Sequence, residues 1–404
     1  MAEDVQAPGH PLLKLMRQAV DRQERTVTVH FLGLFAPGHA AWHEDFGCAS
    51  VPDGDFEAAR QAVSEVALPE VPAGDPTLPW PEGEAVTPDE RFAALLSDAE
   101  LVGPGMRATV VVLDGRIVAE AYGEGFSPAT PLLGWSMTKT VNAALVGRLV
   151  QAGVLSPQMA SLFPEWRGDP REKITLAQLL AMESGLSFNE HYGSVTDVTR
   201  MLFLEPDMTR FVLSRPLAAN PGTRFDYSSG TAVLLSRLWM SATGGRSAAL
   251  SFPRKALFSP LGMASAVMEG DETGIFVGSS YMYANARDWA RFSQFLLDDG
   301  VWKGERLLPA DFVAGMRTAN ATSGGTYSRV QTWLKGPGGK SDAEHGLPAD
   351  TFWLRGHDGQ SAVIVPSRRL IVLRLGLTPS ALGYEPQALV RKVLDLLDVA
   401  QAPT

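Results

Sequence analysis

At 404 residues and 45% hydrophobic content, the chain is long enough for one large or two medium domains around a sizeable core. A formal charge of −10 argues against a nucleic-acid partner, because gripping a phosphate backbone depends on clustered Lys and Arg. Cys48 is the single cysteine and none of the seven histidines falls in a CxxC or HExxH spacing, which excludes an intrachain disulfide and leaves no zinc pattern; the composition points to no cofactor.

No apolar run approaches the length needed to span a bilayer, and nothing near Met1 has the basic-then-apolar order of a signal peptide. In chain order, the alternation of Thr26 to Leu32 predicts a half-buried strand. Leu68 to Glu90 is acidic and dense in Pro and Gly, the composition of a linker or of a loop draped over a surface. We expect residues 1–87 to be an extension carrying this linker and packing on one enzyme-sized domain over 88–404. Ala108 to Leu113 and Arg116 to Glu120 flank Asp114-Gly115, a hairpin with the turn residues that tolerate positive φ. Helical patterns follow over Ser136–Gln151, from the N-cap Thr175 to before Gly185, and over Thr231–Ser241, Ala286–Leu297 and Pro309–Thr318. Strands return at Ser361–Val365 and Leu370–Leu377, before a last helix from Glu385 to Leu397. Strands at both ends with helices between them predict an α+β fold, its antiparallel sheet joining the two ends of the domain.

Within this frame, Gly134-Trp135-Ser136-Met137-Thr138-Lys139-Thr140 places a serine three residues before a lysine at the mouth of an apolar helix. Positions i and i+3 share a helix face, so hydroxyl and amine come within reach. A serine is a poor nucleophile until a base takes its proton, and a desolvated lysine has its pKa lowered toward that task. Roughly one chain in two of this size carries an SxxK by accident. Here, however, it is the sole SxxK, and Val141, Ala143, Ala144, Leu145, Val146, Leu149 and Val150 make its helix apolar nearly all round.

Together with "PGTRFDYSSG" at Pro221–Gly230 and "GHDGQ" at Gly356–Gln360, this segment resembles the three-motif pattern of the serine β-lactamase and penicillin-binding-protein superfamily. The resemblance spans roughly Pro88 to the C-terminus and is nearest the class C-like branch of esterases and 6-aminohexanoate-dimer hydrolases. It implies a β-lactamase-like fold, an antiparallel sheet flanked by helices with a mainly helical subdomain, and the active site between them. The first hundred residues resemble the region that precedes the catalytic domain in some longer members. The chain would then start inside that region; the expected location is periplasmic or secreted if an export leader has been removed, and cytoplasmic otherwise.

By resemblance Ser136 is the nucleophile, Lys139 its base and a tyrosine of a Tyr-x-[Asn/Ser] motif the proton shuttle. Tyr192-Gly193-Ser194, Tyr227-Ser228-Ser229 and Tyr283-Ala284-Asn285 all fit locally; the family frame selects Tyr227. A phenol beside a cation is expected to have its ionised form favoured. Ser229 stands where asparagine is usual, a shorter arm toward a substrate amide. The third motif reads His357-Asp358-Gly359, and the implied oxyanion hole consists of the backbone N–H groups of Ser136 and Gln360. Gly359 lets the backbone approach a substrate closely, and an imidazole, unlike an ammonium, is not a permanent anchor for a penicillin carboxylate. Tyr192 is a candidate substrate contact, alongside His357 and Gly359. The expected activity is a serine hydrolase acting on small esters or linear amides. A β-lactamase or D-alanyl peptidase and a non-catalytic penicillin-recognition-fold binder are the rivals, and an α/β-hydrolase is disfavoured because "GWSMT" lacks the final glycine of its elbow.

Overall fold

A computed structural model describes residues 15–400 apart from 34, 65, 67 and 73, so the first fourteen residues of the expected extension lie outside it. Its centre is a five-stranded sheet. β1 (Met106–Leu113) and β2 (Arg116–Tyr122) form the hairpin, with Asp114 and Gly115 both at positive φ. β3 (Phe352–Arg355), β4 (Ser361–Val365) and β5 (Leu370–Gly376) come from the other end of the chain. The order is β3-β4-β5-β1-β2 with every pair antiparallel, and Ile371 opposite Val112 and Leu373 opposite Val110 join the two ends. The α+β reading therefore holds.

Helices cover both faces of this sheet, which is why its central strands β4 and β5 read as continuous apolar runs rather than as alternation. Those of twelve residues or more are α1 (Thr138–Gln151), α2 (Ser229–Ala242), α3 (Ala286–Leu297) and α4 (Gln387–Ala400). Val110, Val112, Ile371 and Leu373 point toward Trp289, Phe292 and Phe295 of α3. Their neighbours Val111, Val363 and Val372 point the other way, toward Leu389 and Val393 of α4 and Phe92 of the short helix Glu90–Leu96. Each such side chain contributes about 1.5–3 kcal/mol of burial.

The segment between the strands supplies a mainly helical layer containing α1, α2 and the shorter helices Leu176–Leu180, Asp197–Leu204 and Met208–Leu213. A buried asparagine bolts α1 to α2. Asn142 donates to the Ala232 carbonyl at 2.8 Å and accepts from Trp239 Nε1 at 2.7 Å and Ser236 Oγ at 3.1 Å. Every polar atom of that amide is satisfied, so the two helices hold one relative position.

Toward the N-terminus, four antiparallel strands (Met16–Asp21, Thr26–Phe31, Phe35–His43, Gly47–Ser50) and the helix Phe56–Val63 lie against this body. Phe46 and Trp80 join its hydrophobic core, and Arg246 Nε donates to the Ala62 carbonyl at 2.7 Å. The Pro/Gly-rich stretch includes a short parallel pair, Asp75–Pro79 with Gly83–Ala85, whose Gly83 carbonyl accepts from the buried Arg291 at 2.7 Å. Cys48 donates its backbone N–H to Glu269 at 2.7 Å. Burial and the Glu269 carboxylate push the Cys48 thiol up to about 12, so this half-buried group carries little thiolate.

Glu269 itself is pushed up to about 7 by burial. A carboxyl raised in the folded state stabilises that state below its unfolded value, and the contribution is lost as pH rises through the folded one. Stability is therefore expected to fall between pH 5 and pH 8 by roughly 3 kcal/mol from this group. Glu269→Gln, which keeps an acceptor for Cys48, should flatten the pH dependence of the melting temperature; an unchanged slope would place the ionisation elsewhere.

Candidate active site

Ser136 sits at the junction of sheet and helical layer, on a 3₁₀ turn (Trp135–Met137) that feeds α1 at Thr138, rather than inside the α-helix as its periodicity predicts. Trp135 immediately before it adopts φ 48°, a left-handed conformation costing about 1–3 kcal/mol in a bulky residue. Close packing holds the turn there. A Cβ at Gly134 would strike the Trp289 ring, and one at Gly356 would strike the Gly134 carbonyl oxygen, so only glycines let the nucleophile turn and the His357 turn touch.

One turn along, Lys139 is 1% exposed. Its Nζ lies 3.0 Å from Ser136 Oγ, 3.1 Å from Ser229 Oγ and 3.0 Å from the Ser279 carbonyl oxygen. Burial pulls the lysine down to about 8, opposed by the Glu190 carboxylate, which favours the charged form. About a tenth of the amine is thus neutral at pH 7, in contact with the serine hydroxyl.

Tyr227 arrives just ahead of α2, whose N-cap Ser228 accepts the Thr231 N–H at 3.0 Å. Its ring centroid is 4.7 Å from the Lys139 ammonium, and the ring packs against Tyr327 at 5.8 Å and Trp333 at 5.0 Å. Here the expectation of a favoured phenolate is corrected: burial, with the Glu190 charge, pushes the Tyr227 phenol above its ordinary value. Hydrogen bonding to Ser136, the Arg355 charge and Trp333 pull the other way without prevailing. Desolvation outweighs the Arg355 charge. Tyr227 is therefore a protonated acid at rest.

The third motif forms the opposite wall. His357, with 44% of its side chain exposed, lies between the rings of Tyr192 at 5.0 Å and Trp135 at 5.7 Å. Gly359 takes φ 82°, and its carbonyl accepts from the fully buried Arg374 at 3.2 Å. The Gln360 side chain is spent internally, donating to the carbonyls of His357, Asp358 and Gly376 and accepting the Gly376 N–H at 2.8 Å. That pins the backbone at the start of β4. Ser136, Lys139 and Tyr227 thus converge, Gln360 borders them, and Tyr192 and His357 form a partly exposed rim. Tyr283 instead lies on the strand Met282–Ala284, paired with Leu133.

Two charged residues escaped the sequence reading. Glu190 hydrogen-bonds Ser229 from a separate loop, and Arg355 on β3 lies over the Trp333 ring at 4.4 Å. Glu190 stands two residues before Tyr192 and Arg355 two before His357, so proximity to the candidate site residues is the signal the sequence offers. Among the described residues, no group of three His, Cys, Asp or Glu is arranged to hold a metal ion, and no helix is long and apolar enough to cross a membrane.

The model of the Beta-lactamase family matches residues 99–379. A 6-aminohexanoate-dimer hydrolase of Paenarthrobacter ureafaciens is 27% identical over 310 residues, 69% of this chain and 77% of that protein. A Bacillus anthracis structure provisionally assigned as a 6-aminohexanoate-dimer hydrolase superposes with TM-score 0.64 at 20% identity, covering 87% of this chain and 96% of the other. A family VIII carboxylesterase does so with TM-score 0.57 at 17% identity, covering 76% of this chain and 95% of the other. With the family model matching well over half its length, from before the first strand of the central sheet to beyond the last, the chain belongs to the β-lactamase family of serine hydrolases.

Proposed function

We propose that the protein cleaves small esters or linear amides, in the manner of the 6-aminohexanoate-dimer hydrolase and carboxylesterase it is similar to, through an acyl-enzyme on Ser136. The observation that carries this reading is the 3.0 Å contact between Ser136 Oγ and a lysine that burial pulls down to about 8. Neutral Lys139 takes the serine proton as Oγ bonds to the carbonyl carbon. The N–H groups of Ser136 and Gln360 hold the oxygen that becomes negative. Protonated Tyr227 gives its proton to the departing alcohol or amine and recovers one from Lys139, and water then releases the acid by the same steps in reverse.

Aromatic side chains at the rim, Trp135, Tyr192 and His357, suit an uncharged or alkyl chain more than a fixed carboxylate. Ser229 is already engaged by Lys139 and Glu190 and has little left for a lactam side chain. We further propose residues 1–87 as an extension packed on a hydrolase domain of 88–404, supported by the contacts of Cys48, Ala62 and Trp80 with the body.

The test is a hydrolysis panel of short-chain p-nitrophenyl esters, aminohexanoate dimer, D-alanyl peptides and nitrocefin, with labelling by a fluorophosphonate probe. Ester and linear-amide turnover at least about 100-fold above nitrocefin, and an adduct on Ser136, are the expected results; a 100-fold preference corresponds to about 2.7 kcal/mol in transition-state binding. Preferred nitrocefin turnover would move the protein to the β-lactamase reading, and no adduct would leave a binding protein.

A further inference from the structure

Glu190 brings into the site a carboxylate that the three motifs do not include. It accepts the Ser229 backbone N–H at 2.8 Å and the Ser229 hydroxyl at 2.5 Å. Both oxygens are thus committed at the first turn of α2, where unpaired N–H groups favour negative charge. The same Ser229 oxygen faces Lys139 Nζ at 3.1 Å. A continuous chain runs from Ser136 through Lys139 and Ser229 to Glu190.

The direction of the protons along that chain follows from counting donors. A serine hydroxyl has one hydrogen. Because Ser229 gives it to Glu190, Ser229 can only accept from Lys139, and the Ser279 carbonyl, 3.0 Å away, can only accept as well. A neutral lysine has two N–H bonds and one lone pair. The two N–H bonds go to Ser229 and Ser279, so the lone pair is left facing the Ser136 hydroxyl, as a general base requires. Without the carboxylate, the Ser229 hydroxyl is free to turn and donate into that lone pair in competition with Ser136.

We propose that Glu190 is a positioning residue of the acyl-transfer site: it orients the Ser229 hydroxyl so that the lone pair of Lys139 serves Ser136 alone. The inference rests on the hydrolase reading above. The other titratable or charged groups around the cluster are Tyr227 ahead of α2, Tyr192 on the Glu190 loop, Tyr281 beside Ser279, Tyr327, and Arg355 on β3; each tyrosine is held protonated by burial. Burial raises the Glu190 carboxyl above its ordinary value, opposed by the Lys139 charge and the two Ser229 hydrogen bonds, and its carboxylate is the charge that favours protonated Lys139.

The experiment measures the rate of fluorophosphonate labelling of Ser136 against pH, which needs no substrate. Labelling by wild type should rise with pH as Lys139 loses its proton. Glu190→Gln should move that rise to lower pH by about one unit, a tenfold change in proton concentration, and lower the plateau by about 10–100-fold through a weaker, misdirected base. Glu190→Asp, which keeps the charge, should retain the wild-type position of the rise. Ser229→Ala, which removes the bridge and keeps the carboxylate, should lower the plateau with a smaller shift. A Glu190→Gln profile that superimposes on wild type overturns the inference alone. If that variant does not fold, a Ser229→Ala plateau equal to wild type overturns it instead. Absence of labelling in wild type removes the hydrolase reading and this inference together.

Discussion

Ser136→Ala is expected to lower p-nitrophenyl butyrate hydrolysis by about 10⁴-fold or more while leaving the melting curve in place. The hydroxyl is half-buried and its loss leaves the turn's packing against Trp289 and Gly356 untouched. Lys139→Met should cost a similar factor, because the apolar replacement fills the same buried space without a base. Its effect on stability is set by two opposing terms: relief from burying an amine, and a Ser279 carbonyl left without its donor, each about 1–3 kcal/mol. A near-neutral melting shift with lost activity is the signature of a group held for chemistry at the expense of stability. The sign of the pH dependence follows. Only the neutral amine accepts a proton, so wild-type kcat/KM should rise with pH through about 8, the value to which burial brings Lys139. A flat profile from pH 6 to 9, or residual turnover in Ser136→Ala, would remove this pair from the reaction.

The elements legible in the sequence were those whose burial leaves a continuous apolar run or whose turns need special residues. Ser361–Val365 and Ala286–Leu297 appear at the bounds their patterns predict, and Asp114-Gly115 marks its hairpin. Other elements hide for physical reasons. Phe35–His43 carries Pro37 and Gly38, residues that argue against a strand, and is tolerated here with a register irregularity near Val29. Arg246–Pro253 contains a proline and runs into a π-type turn at Arg254–Phe258, so no clean helical period survives. The edge strand Phe352–Arg355 has only four residues, too few for a period to declare itself.

The site divides in the same way. Ser136 and Lys139 are legible because their contact is local, set by one turn of helix. Tyr227 needed the family frame, since three tyrosines fit its pattern. Glu190 was invisible as a partner because its relation to Ser229 is created by a loop folding back across 39 residues, and no spacing rule encodes that. The direction of the Tyr227 shift was misjudged for a related reason. Sequence reveals the neighbouring cation but not the depth of burial, and here burial is the larger effect.

Tyr227→Phe should separate the two halves of the proton transfer. The ring keeps its packing on Tyr327 and Trp333, so the fold is expected to persist, and only the hydroxyl beside Ser136 is lost. If protonated Tyr227 serves the leaving group, the loss depends on what leaves. An amine must gain a proton to depart, whereas p-nitrophenolate is stable without one. Turnover of a linear amide such as aminohexanoate dimer is therefore expected to fall by about 10²–10⁴-fold, and that of p-nitrophenyl butyrate by about tenfold or less. Equal losses on both would instead assign Tyr227 to removing the serine proton. Tyr283→Phe, on the strand beside Leu133, should change either rate by less than about fivefold. A larger loss at Tyr283 than at Tyr227 would mean that the proton-carrying phenol belongs to the Tyr283-Ala284-Asn285 motif, and the convergence of Tyr227 with Lys139 and Ser136 would then be packing alone.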